Sequence, residues 1–297
     1  MLISTNSIRG EIIESEPMKK HTSLRVGGAA EYFYKPYDLD DLANFLSELS
    51  ANVPIFWLGR GSNILVRDEG LSGVVISSSK ILKEIREIDN LTIEVEANVP
   101  CTMLAKKCIR WNLGPSEFFS GIPGSFGGAL AMNAGAYGNE TWERVVSVKT
   151  MNREGKIKNR DKQEYQIDYR EVKGPIDEWF ISAILKFESN VIASMDRQKK
   201  MLEQRKLSQP LGEPSCGSVF RNPPGNFAAK LIEESNLKGF RIGGAQVSKK
   251  HANFIITDEL ACAKDVEQLI EHIKVIVKKL HGVSLICLLY TSDAADE

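Results

Sequence analysis

The sequence predicts an α+β fold in two domains, on three grounds. Its 297 residues correspond to about two domains of ~150 residues each. Strand-like and helix-like patterns are separated by hairpin-like turns and do not form a regular strand–helix–strand array. The stretch Ser194–Lys206 is polar, helical in composition and too poor in apolar residues to form a core, which is typical of a connecting helix. We therefore predict one domain at residues 1–195 and a smaller one at residues 196–297.

Capping and periodicity predict the elements of the first domain. Asp38 can cap a helix whose apolar stripe is Leu39, Leu42, Ala43, Leu46 and Leu49. A second helix begins after Pro100, with Leu104 and Cys108 on one side. Short apolar or alternating runs predict strands at Val53–Leu58, Ile64–Val66, Val74–Ile76 and Leu91–Ala97.

The second domain shows fewer but clear signals. Ala228, Leu231 and Ile232 mark one face of a short helix that stops near Gly239. Ala252–Ile256 reads as a strand. The last helix has a long apolar face from Val266 to Leu280 and ends at Gly282.

Composition and charge exclude several classes of protein. The 38 basic and 39 acidic side chains leave a net charge of -1, so we expect no nucleic-acid partner. With 42% hydrophobic and 26% charged residues, the chain is typical of a folded protein. No apolar run approaches the ~20 residues of a membrane span, and the N-terminus has no signal-peptide pattern. We expect a cytoplasmic protein with no membrane partner.

Cysteine and histidine spacing gives no sign of a metal site. The five cysteines are odd in number, widely spread and never in a Cys-x-x-Cys pair, which also argues against a disulfide framework. The four histidines show no His-Glu-x-x-His spacing. We therefore expect no bound metal.

A dense glycine cluster is the first candidate binding segment. Six of the 23 glycines lie within the 18 residues Gly121–Gly138, a segment with no formal charge. Glycine lets main chain approach a ligand closely, and exposed main-chain N–H groups can bind phosphate without a lysine. A tight packing seam or a flexible loop is the alternative interpretation.

Gly59–Asn63 is the second candidate, because it follows a strand and combines two glycines with Ser62 and Asn63. It lacks the third glycine of a dinucleotide fingerprint, and the chain has no Walker A run. An ordinary hairpin turn is the alternative, but together with Gly121–Gly138 it could clasp a pyrophosphate from both sides. Upstream, Arg25 beside Gly27 and Gly28 could add a positive charge, or form a surface turn.

Taken in order, these segments resemble the UDP-N-acetylenolpyruvoylglucosamine reductases, the MurB family, in its shorter form. The resemblance runs from about residue 20 to about residue 285. It is carried by Thr22–Ala30, Leu58–Val66 with Asp68, Gly121–Gly138, Tyr169-Arg170, Gly217–Pro223 and Gly244–Ile255. The Gly121 and Ser218 segments are highly specific to the family, whereas Arg-x-Gly-Gly is not.

The resemblance implies an FAD-binding domain of the p-cresol methylhydroxylase/vanillyl-alcohol oxidase type, followed by a smaller α+β substrate-binding domain. In that family NADPH reduces FAD, and the flavin reduces UDP-N-acetylglucosamine enolpyruvate to UDP-N-acetylmuramate in peptidoglycan precursor synthesis. The expected cofactors are thus FAD and NADPH, the partner is a small UDP-sugar, and the expected oligomeric state is a monomer.

The resemblance also assigns roles to residues. Arg170 corresponds to the clamp for the developing enolate and Ser218 to the proton donor; read without the family, they would be a surface arginine and a turn serine. The residues implied at the cofactor are Arg25, Gly59, Arg60, Gly61, Ser62, Asn63, Gly121, Ile122, Pro123, Gly124, Ser125, Gly127, Gly128, Asn133, Gly135 and Ala136. Those implied at the substrate are Tyr169, Asn222, Lys230, Lys250 and Asn253, although a solvated charged face is the alternative for the lysines.

The sequence departs from the family pattern at two places. Glu171 and Val172 follow Arg170, where the family has a small residue and serine. Near the C-terminus, Leu288 occupies the position of a catalytic glutamate, and the pattern is lost abruptly after Leu285. We interpret this end as a foreign or frameshifted tail, which sequencing of the encoding DNA would test.

Two other functions remain open. Besides a working reductase, the chain could be another flavin oxidoreductase on the same scaffold. It could also be a flavin-binding homologue that has lost turnover because Leu288 cannot act as an acid. The Gly217–Pro223 segment argues against the second possibility, since it belongs to the substrate domain in the resemblance.

Overall fold

A computed structural model describes residues 8–291, which divide into two compact units. The first contains the described residues up to Ile13, together with Phe33–Arg60 and Val74–Gln204. The second contains Glu14–Tyr32, Gly61–Gly73 and the described residues from Arg205 onward. The chain thus crosses between units inside three of its strands. The expected functional boundary at residues 195/196 stays a prediction.

The chain contains six α-helices and eighteen strands within the described range. The helices are α1 (Leu39–Glu48), α2 (Cys101–Arg110), α3 (Phe126–Ala131), α4 (Met195–Ser208), α5 (Ala228–Glu234) and α6 (Ala263–His281). The first nine strands are β1 (Glu11–Pro17), β2 (Ala29–Lys35), β3 (Ile55–Leu58), β4 (Ile64–Leu65), β5 (Leu71–Ser77), β6 (Ile85–Asp89), β7 (Thr92–Glu96), β8 (Gly135–Ala136) and β9 (Asn139–Glu140). The others are β10 (Val145–Asn152), β11 (Ile157–Asp161), β12 (Gln166–Asp168), β13 (Glu171–Lys173), β14 (Glu178–Lys186), β15 (Arg241–Ile242), β16 (Ala245–Val247), β17 (Ile255–Thr257) and β18 (Tyr290–Thr291).

The first unit is built on a five-stranded antiparallel sheet in the order β11-β10-β14-β7-β6. Helices α2 and α3 cover it, and their shared core includes the fully buried Phe119, Phe126 and Trp142. Strands β3 and β5 pair in parallel with Ile55 opposite Val74, so that the chain enters the Gly59 turn directly from a strand end.

The second unit packs α6 against the three-stranded sheet β15-β16-β17. Leu269, Ile273 and Val277 form the buried stripe of the helix. The helix starts under a cap from a distant part of the chain, since Asp68 accepts hydrogen bonds from the Ala263 and Lys264 amides at 2.9 Å each. It ends at Gly282, whose φ of 72° places it in the left-handed region.

Most predicted elements are confirmed. Asp38 caps α1 by accepting from the Asp41 amide, and α4 buries no residue, as expected of a connecting helix. The predicted strand Ala252–Ile256 is instead the shorter β17, because Ala252–Phe254 form a turn. Helix α5 ends at Glu234 rather than near Gly239, since Asn236 takes a positive φ of 57°.

Within residues 8–291, no helix is both long enough and apolar enough to cross a lipid bilayer.

A buried carboxylate in the five-stranded sheet makes the stability of the first unit depend on pH. Glu178, only 4% exposed in its side chain, accepts hydrogen bonds from Arg160, Thr150 and Lys158. The Arg160 guanidinium is the main reason that the pKa of Glu178 falls from 4.5 to about 2. Because the folded pKa is depressed, the stabilisation is complete above the unfolded value and is lost as the pH falls toward 2.

We expect Glu178→Gln to remove this pH dependence. Between pH 6 and pH 3, the difference in unfolding free energy between the parent and E178Q should shrink by roughly 2 kcal/mol, measured by urea denaturation. Glu154→Gln, at a fully exposed pair with Lys156, is the matched control and should parallel the parent. A constant difference between the parent and E178Q across this range would contradict the assignment.

Candidate functional site

In the first unit, Gly59 contacts the Gly121–Gly138 segment at Ser125. A Cβ atom at Gly59 would overlap Ser125 Oγ, so only glycine leaves room there. Ser125 is buried and also caps α3, accepting from the Gly128 amide at 3.4 Å. The contact brings Gly59 against the Gly121–Gly138 segment, which carries no formal charge. Such a surface suits a diphosphate, because main-chain N–H groups can approach its oxygens.

Main-chain hydrogen bonds from the residues that follow β7 hold the Gly121–Gly138 segment in place. The Phe126 and Gly127 amides donate to the Val99 and Ala97 carbonyls, and Gly124 accepts from the Cys101 amide. At Gly127 a Cβ atom would lie 3.0 Å from that of Ala97. These glycines therefore serve close packing, as the alternative interpretation proposed, at Gly127 against Ala97 and at Gly59 against Ser125.

Arg170 lies in the tight turn that joins β12 to β13, where Asp168 pairs with Glu171. Its φ of 61° is unfavourable for a residue with a side chain. Its guanidinium donates to the Asn133 and Gly135 carbonyls at 2.8 and 2.7 Å, and is half-buried. Arg170 is thus held against the glycine segment and is not a loose surface arginine. A strained backbone that carries such a fixed side chain is typical of a functional site.

Asn133 is buried at the centre of the same cluster. Its amide nitrogen donates to Glu140 Oε2 at 2.7 Å and to the Asp168 carbonyl at 3.1 Å, while its oxygen accepts from the Trp142 amide. Both donors of the side chain are therefore committed to protein acceptors. The contact with FAD implied for Asn133 stays a prediction; in the structure its side chain links Glu140, Asp168 and Trp142.

In the second unit, Ser218 is exposed on a segment held along both edges. On one edge, Asn253 exchanges two hydrogen bonds with the main chain of Phe220, at 2.9 and 2.8 Å, and its own carbonyl accepts from the Val219 amide. On the other edge, the Leu288 amide donates to the Val219 carbonyl and the Arg221 amide donates to the Ile286 carbonyl. Position 288 is therefore a close neighbour of Ser218 along this ladder.

Residues Gly61–Asn63 belong to the second unit, where Gly61 and Asn63 each have a structural role. Gly61 has a φ of 60°, and a Cβ atom would overlap the His21 carbonyl. Asn63 donates its amide to the Leu288 carbonyl at 2.8 Å, and β4 pairs in parallel with β18. The C-terminal segment thus joins Asn63 to the Ser218 segment. The tail from Ser292 onward lies outside the described residues.

Several implied substrate contacts have other partners in this structure. Asn222 accepts from the Ala228 amide at the start of α5, Lys250 donates to the Lys206 carbonyl at 2.6 Å, and Lys230 lies 3.8 Å from Glu234. Tyr169 is exposed and lies beside the Arg170 guanidinium. Arg25 and Arg60 are exposed. Roles for all of these residues in binding remain predictions.

The cysteines next to these segments are held neutral. Burial raises the pKa of Cys216, two residues before Ser218, to about 12, and it raises the pKa of Cys101 to about 12 as well. Neither thiol is therefore a reactive thiolate at neutral pH.

One residue of the Arg170 cluster, Glu140, was missed from the sequence. Asn253 was predicted as a substrate contact; its side chain is buried and bonded to the main chain of Phe220, and a role in substrate binding stays a prediction. The only available signal for Glu140 was that it follows the glycine segment by two residues.

Two family matches define the class of protein to which the chain belongs. Residues 30–160 match the family described as an FAD binding domain, and residues 209–287 match the C-terminal domain of UDP-N-acetylenolpyruvoylglucosamine reductase. An FAD-binding domain joined to this second domain makes the chain a flavin-dependent oxidoreductase, and the α+β fold class is confirmed.

Similarity over nearly the full length then gives the family. The chain is 50% identical to the UDP-N-acetylenolpyruvoylglucosamine reductase of Alkalilimnicola ehrlichii over 93% of each chain, and 49% identical to that of Methylococcus capsulatus over 93% of this chain and 91% of the other. The crystal structure of the Thermus caldophilus enzyme (MurB) aligns with a TM-score of 0.79 at 30% identity, covering 96% of this chain and 99% of that one. The chain belongs to the UDP-N-acetylenolpyruvoylglucosamine reductase family.

The close approach of Gly59 to Ser125 leaves no room for a methyl group. Gly59→Ala should lower the unfolding free energy by about 1–3 kcal/mol, because the new methyl group collides with Ser125 Oγ. In the S125A background, the same Gly59→Ala change should lower the unfolding free energy by less, since the colliding oxygen is gone. Thermal and chemical unfolding of the four proteins measure the coupling.

Gly128→Ala is the matched control, because its Cβ atom would lie at an ordinary 3.5 Å from Ser125 Oγ. This helical substitution should be neutral or stabilising by about 0.5–1 kcal/mol. If G59A were as stable as the parent, the two segments would not approach each other as described.

Proposed function

We propose that the protein is an NADPH-dependent reductase that converts UDP-N-acetylglucosamine enolpyruvate to UDP-N-acetylmuramate. The observation that carries this proposal is the strained turn at Arg170, which fixes a guanidinium on the glycine segment of an FAD-binding domain. The printed names of the relatives supply the substrate class. In this reaction a hydride adds to the methylene carbon of the enolpyruvyl double bond, a proton adds to the neighbouring carbon, and NADPH becomes NADP⁺.

The residues present fit FAD at one test, since Gly59 has no room for a side chain beside Ser125, and Gly124, Gly127 and Gly128 flank that serine. The main chain of Gly59–Asn63 and Gly121–Ala136 would hold the diphosphate, with Arg25 and Arg60 as candidate counter-charges. When bound, FAD supplies the hydride that it has taken from NADPH. The chain's own part is to hold the diphosphate on main-chain N–H groups, which need no counter-charge from a lysine.

Arg170 binds the substrate's carboxylate and the enolate that develops when the hydride arrives. A guanidinium is permanently charged and can hold two oxygens at once, so it stabilises the charge as it forms. Its two hydrogen bonds to main-chain carbonyls pre-organise it, which limits the reorganisation needed during the reaction.

Ser218 gives the proton that completes the reaction. Its hydroxyl is exposed, and the segment that carries it is fixed along both edges, which suits a group that must meet a substrate in a defined position. Tyr169, Asn222, Lys230, Lys250 and Asn253 are the proposed contacts to the UDP-sugar. Within the cell we place the reaction in the cytoplasm, in peptidoglycan precursor synthesis and hence in cell shape and division, carried out by a monomer.

A second candidate function is a flavoprotein that binds FAD but turns over slowly. Leu288 favours it, because its main chain lies beside the Ser218 segment while its apolar side chain can neither share a proton nor polarise an enolate. This candidate predicts normal flavin reduction by NADPH and impaired reoxidation by the substrate.

We expect Leu288→Glu to separate these candidates. Because the main-chain hydrogen bonds of position 288 do not involve its side chain, the variant should fold and accelerate substrate-driven reoxidation of the flavin by roughly tenfold or more. Anaerobic stopped-flow absorbance measures flavin reduction by NADPH and reoxidation by the enolpyruvyl substrate separately.

Leu288→Gln is the matched control, similar in size to glutamate but unable to carry its charge or proton. It should leave reoxidation slow, and NADPH should reduce all three proteins at similar rates. The proposed function fails if neither the parent nor L288E is reoxidised by the substrate although both bind FAD. Equal, fast reoxidation in all three proteins would instead reject the slow-turnover candidate.

A further inference from the structure

We propose that Glu140 is a positioning residue for the reaction, acting through Arg170; this inference rests on the proposed function. It assigns a role to a carboxylate that neither the sequence pattern nor the family resemblance singled out. Glu140 lies in β9, and its main chain pairs with that of Gly135 in β8. The Gly135 carbonyl accepts a hydrogen bond from the Arg170 guanidinium.

The Glu140 carboxylate contacts the Arg170 environment by two routes. Its Oε1 forms an ion pair with Arg170 Nη1 at 3.6 Å. Its Oε2 accepts from Asn133 Nδ2 at 2.7 Å, and the Asn133 carbonyl accepts from Arg170 Nη1 at 2.8 Å. One carboxylate thus holds the guanidinium by charge and also holds the residue that carries one of its acceptors.

The geometry of Asn133 explains why this support is needed. Asn133 is 2% exposed and has a strained φ of 42°, and the hydrogen bonds of its side chain help to hold that conformation. Three partners do so, namely Glu140, the Asp168 carbonyl and the Trp142 amide. Glu140 supplies the charged, and therefore the strongest, acceptor among them.

The ion pair is suited to orienting Arg170 without neutralising its function. At 3.6 Å it is longer than the guanidinium's hydrogen bonds to Asn133 and Gly135, so its contribution is mainly electrostatic. The side chains of Arg170 and Glu140 are 18% and 29% exposed, which reduces screening by solvent. Removal of the negative charge should loosen the guanidinium rather than remove it.

A merely structural role makes a different prediction. If Glu140 only stabilised the β8–β9 hairpin, its loss would lower stability and affect all steps regardless of Arg170. If it acts through Arg170, its loss should affect only the step in which Arg170 participates, and only while Arg170 is present. A double-mutant cycle distinguishes these cases.

The experiment compares the parent, Glu140→Gln, Arg170→Ala and the double variant, each loaded with FAD. Single-turnover, anaerobic reoxidation by UDP-N-acetylglucosamine enolpyruvate gives the rate constant, and its dependence on substrate concentration gives the apparent affinity. This readout remains measurable in a slow enzyme because it needs one turnover only. E140Q keeps the size of the side chain and an acceptor for Asn133 while removing the charge.

We expect E140Q to lower the reoxidation rate constant about tenfold with less than about threefold change in apparent substrate affinity, and R170A to lower the rate constant about a hundredfold or more. The double variant should equal R170A within about twofold. NADPH should reduce the flavin of all four proteins at the same rate. Glu143→Gln, at a neighbouring carboxylate whose side chain is 45% exposed and which pairs with Arg144, is the matched control and should behave as the parent.

Two results would overturn the inference alone: an unchanged reoxidation rate in E140Q, or a full further tenfold loss when E140Q is added to R170A. If R170A itself leaves reoxidation unchanged, the proposed role of Arg170 fails, and the inference fails with it. Should E140Q not fold, Glu140→Asp retains the charge at a shorter reach and is tested in the same cycle, where additivity with R170A again overturns the inference.

Discussion

The first unit depends on one close approach, that of the Gly59 main chain to Ser125. No side chain fits at Gly59, and Ser125 is in turn fixed because it caps α3. Gly59 directly follows β3, which pairs in parallel with β5. Residues that follow β7 hold the Gly121–Gly138 segment through main-chain hydrogen bonds. The surface that results is made of main chain, which binds phosphate oxygens without bringing in a competing side chain.

The Gly121–Gly138 segment also holds Arg170, to which we assign the binding of the enolate, near its C-terminal end. Arg170 uses the Asn133 and Gly135 carbonyls as acceptors, so a residue some 35 positions away in sequence is fixed by the expected cofactor loop. The cost is a positive φ at a residue with a side chain, about 1 kcal/mol or more. Glycine would relieve that strain but would lack the guanidinium.

At position 288 of the second unit, the hydrogen bonds that hold the fold use the main chain and not the side chain. Main-chain hydrogen bonds from Asn63 and to Val219 hold this position whatever its side chain is. An altered C-terminal sequence can therefore keep the ladder beside Ser218 and still lose a carboxylate. This retained ladder is consistent with our proposal that Leu288 stands at the family's glutamate position in a chain 50% identical to a known reductase.

The sequence predicts those features that depend on local chemistry. The Asp38 cap, the Gly282 end of α6 and the bare Gly121–Gly138 segment are all visible as residue types in characteristic positions. Strands β10 and β14 were missed because they mix apolar with polar and charged residues, and only their pairing reveals them. The contacts of Asn133, Glu140 and Asn253 could not be predicted either, since each joins residues that lie apart in sequence. Hydrogen-bond partners of this kind leave no periodic pattern.

Titration of the flavin-free protein with FAD and, separately, with riboflavin tests the role of the bare main chain most directly. Quenching of flavin fluorescence reports binding of both compounds, which share the ring, whereas only FAD carries the diphosphate and its adenosine. If main-chain N–H groups hold the diphosphate, FAD binds with one equivalent per chain and at least about a hundredfold more tightly than riboflavin, which corresponds to roughly 2.7 kcal/mol. Equal affinity for the two compounds, or no binding of FAD, would contradict the assignment of these segments to the cofactor.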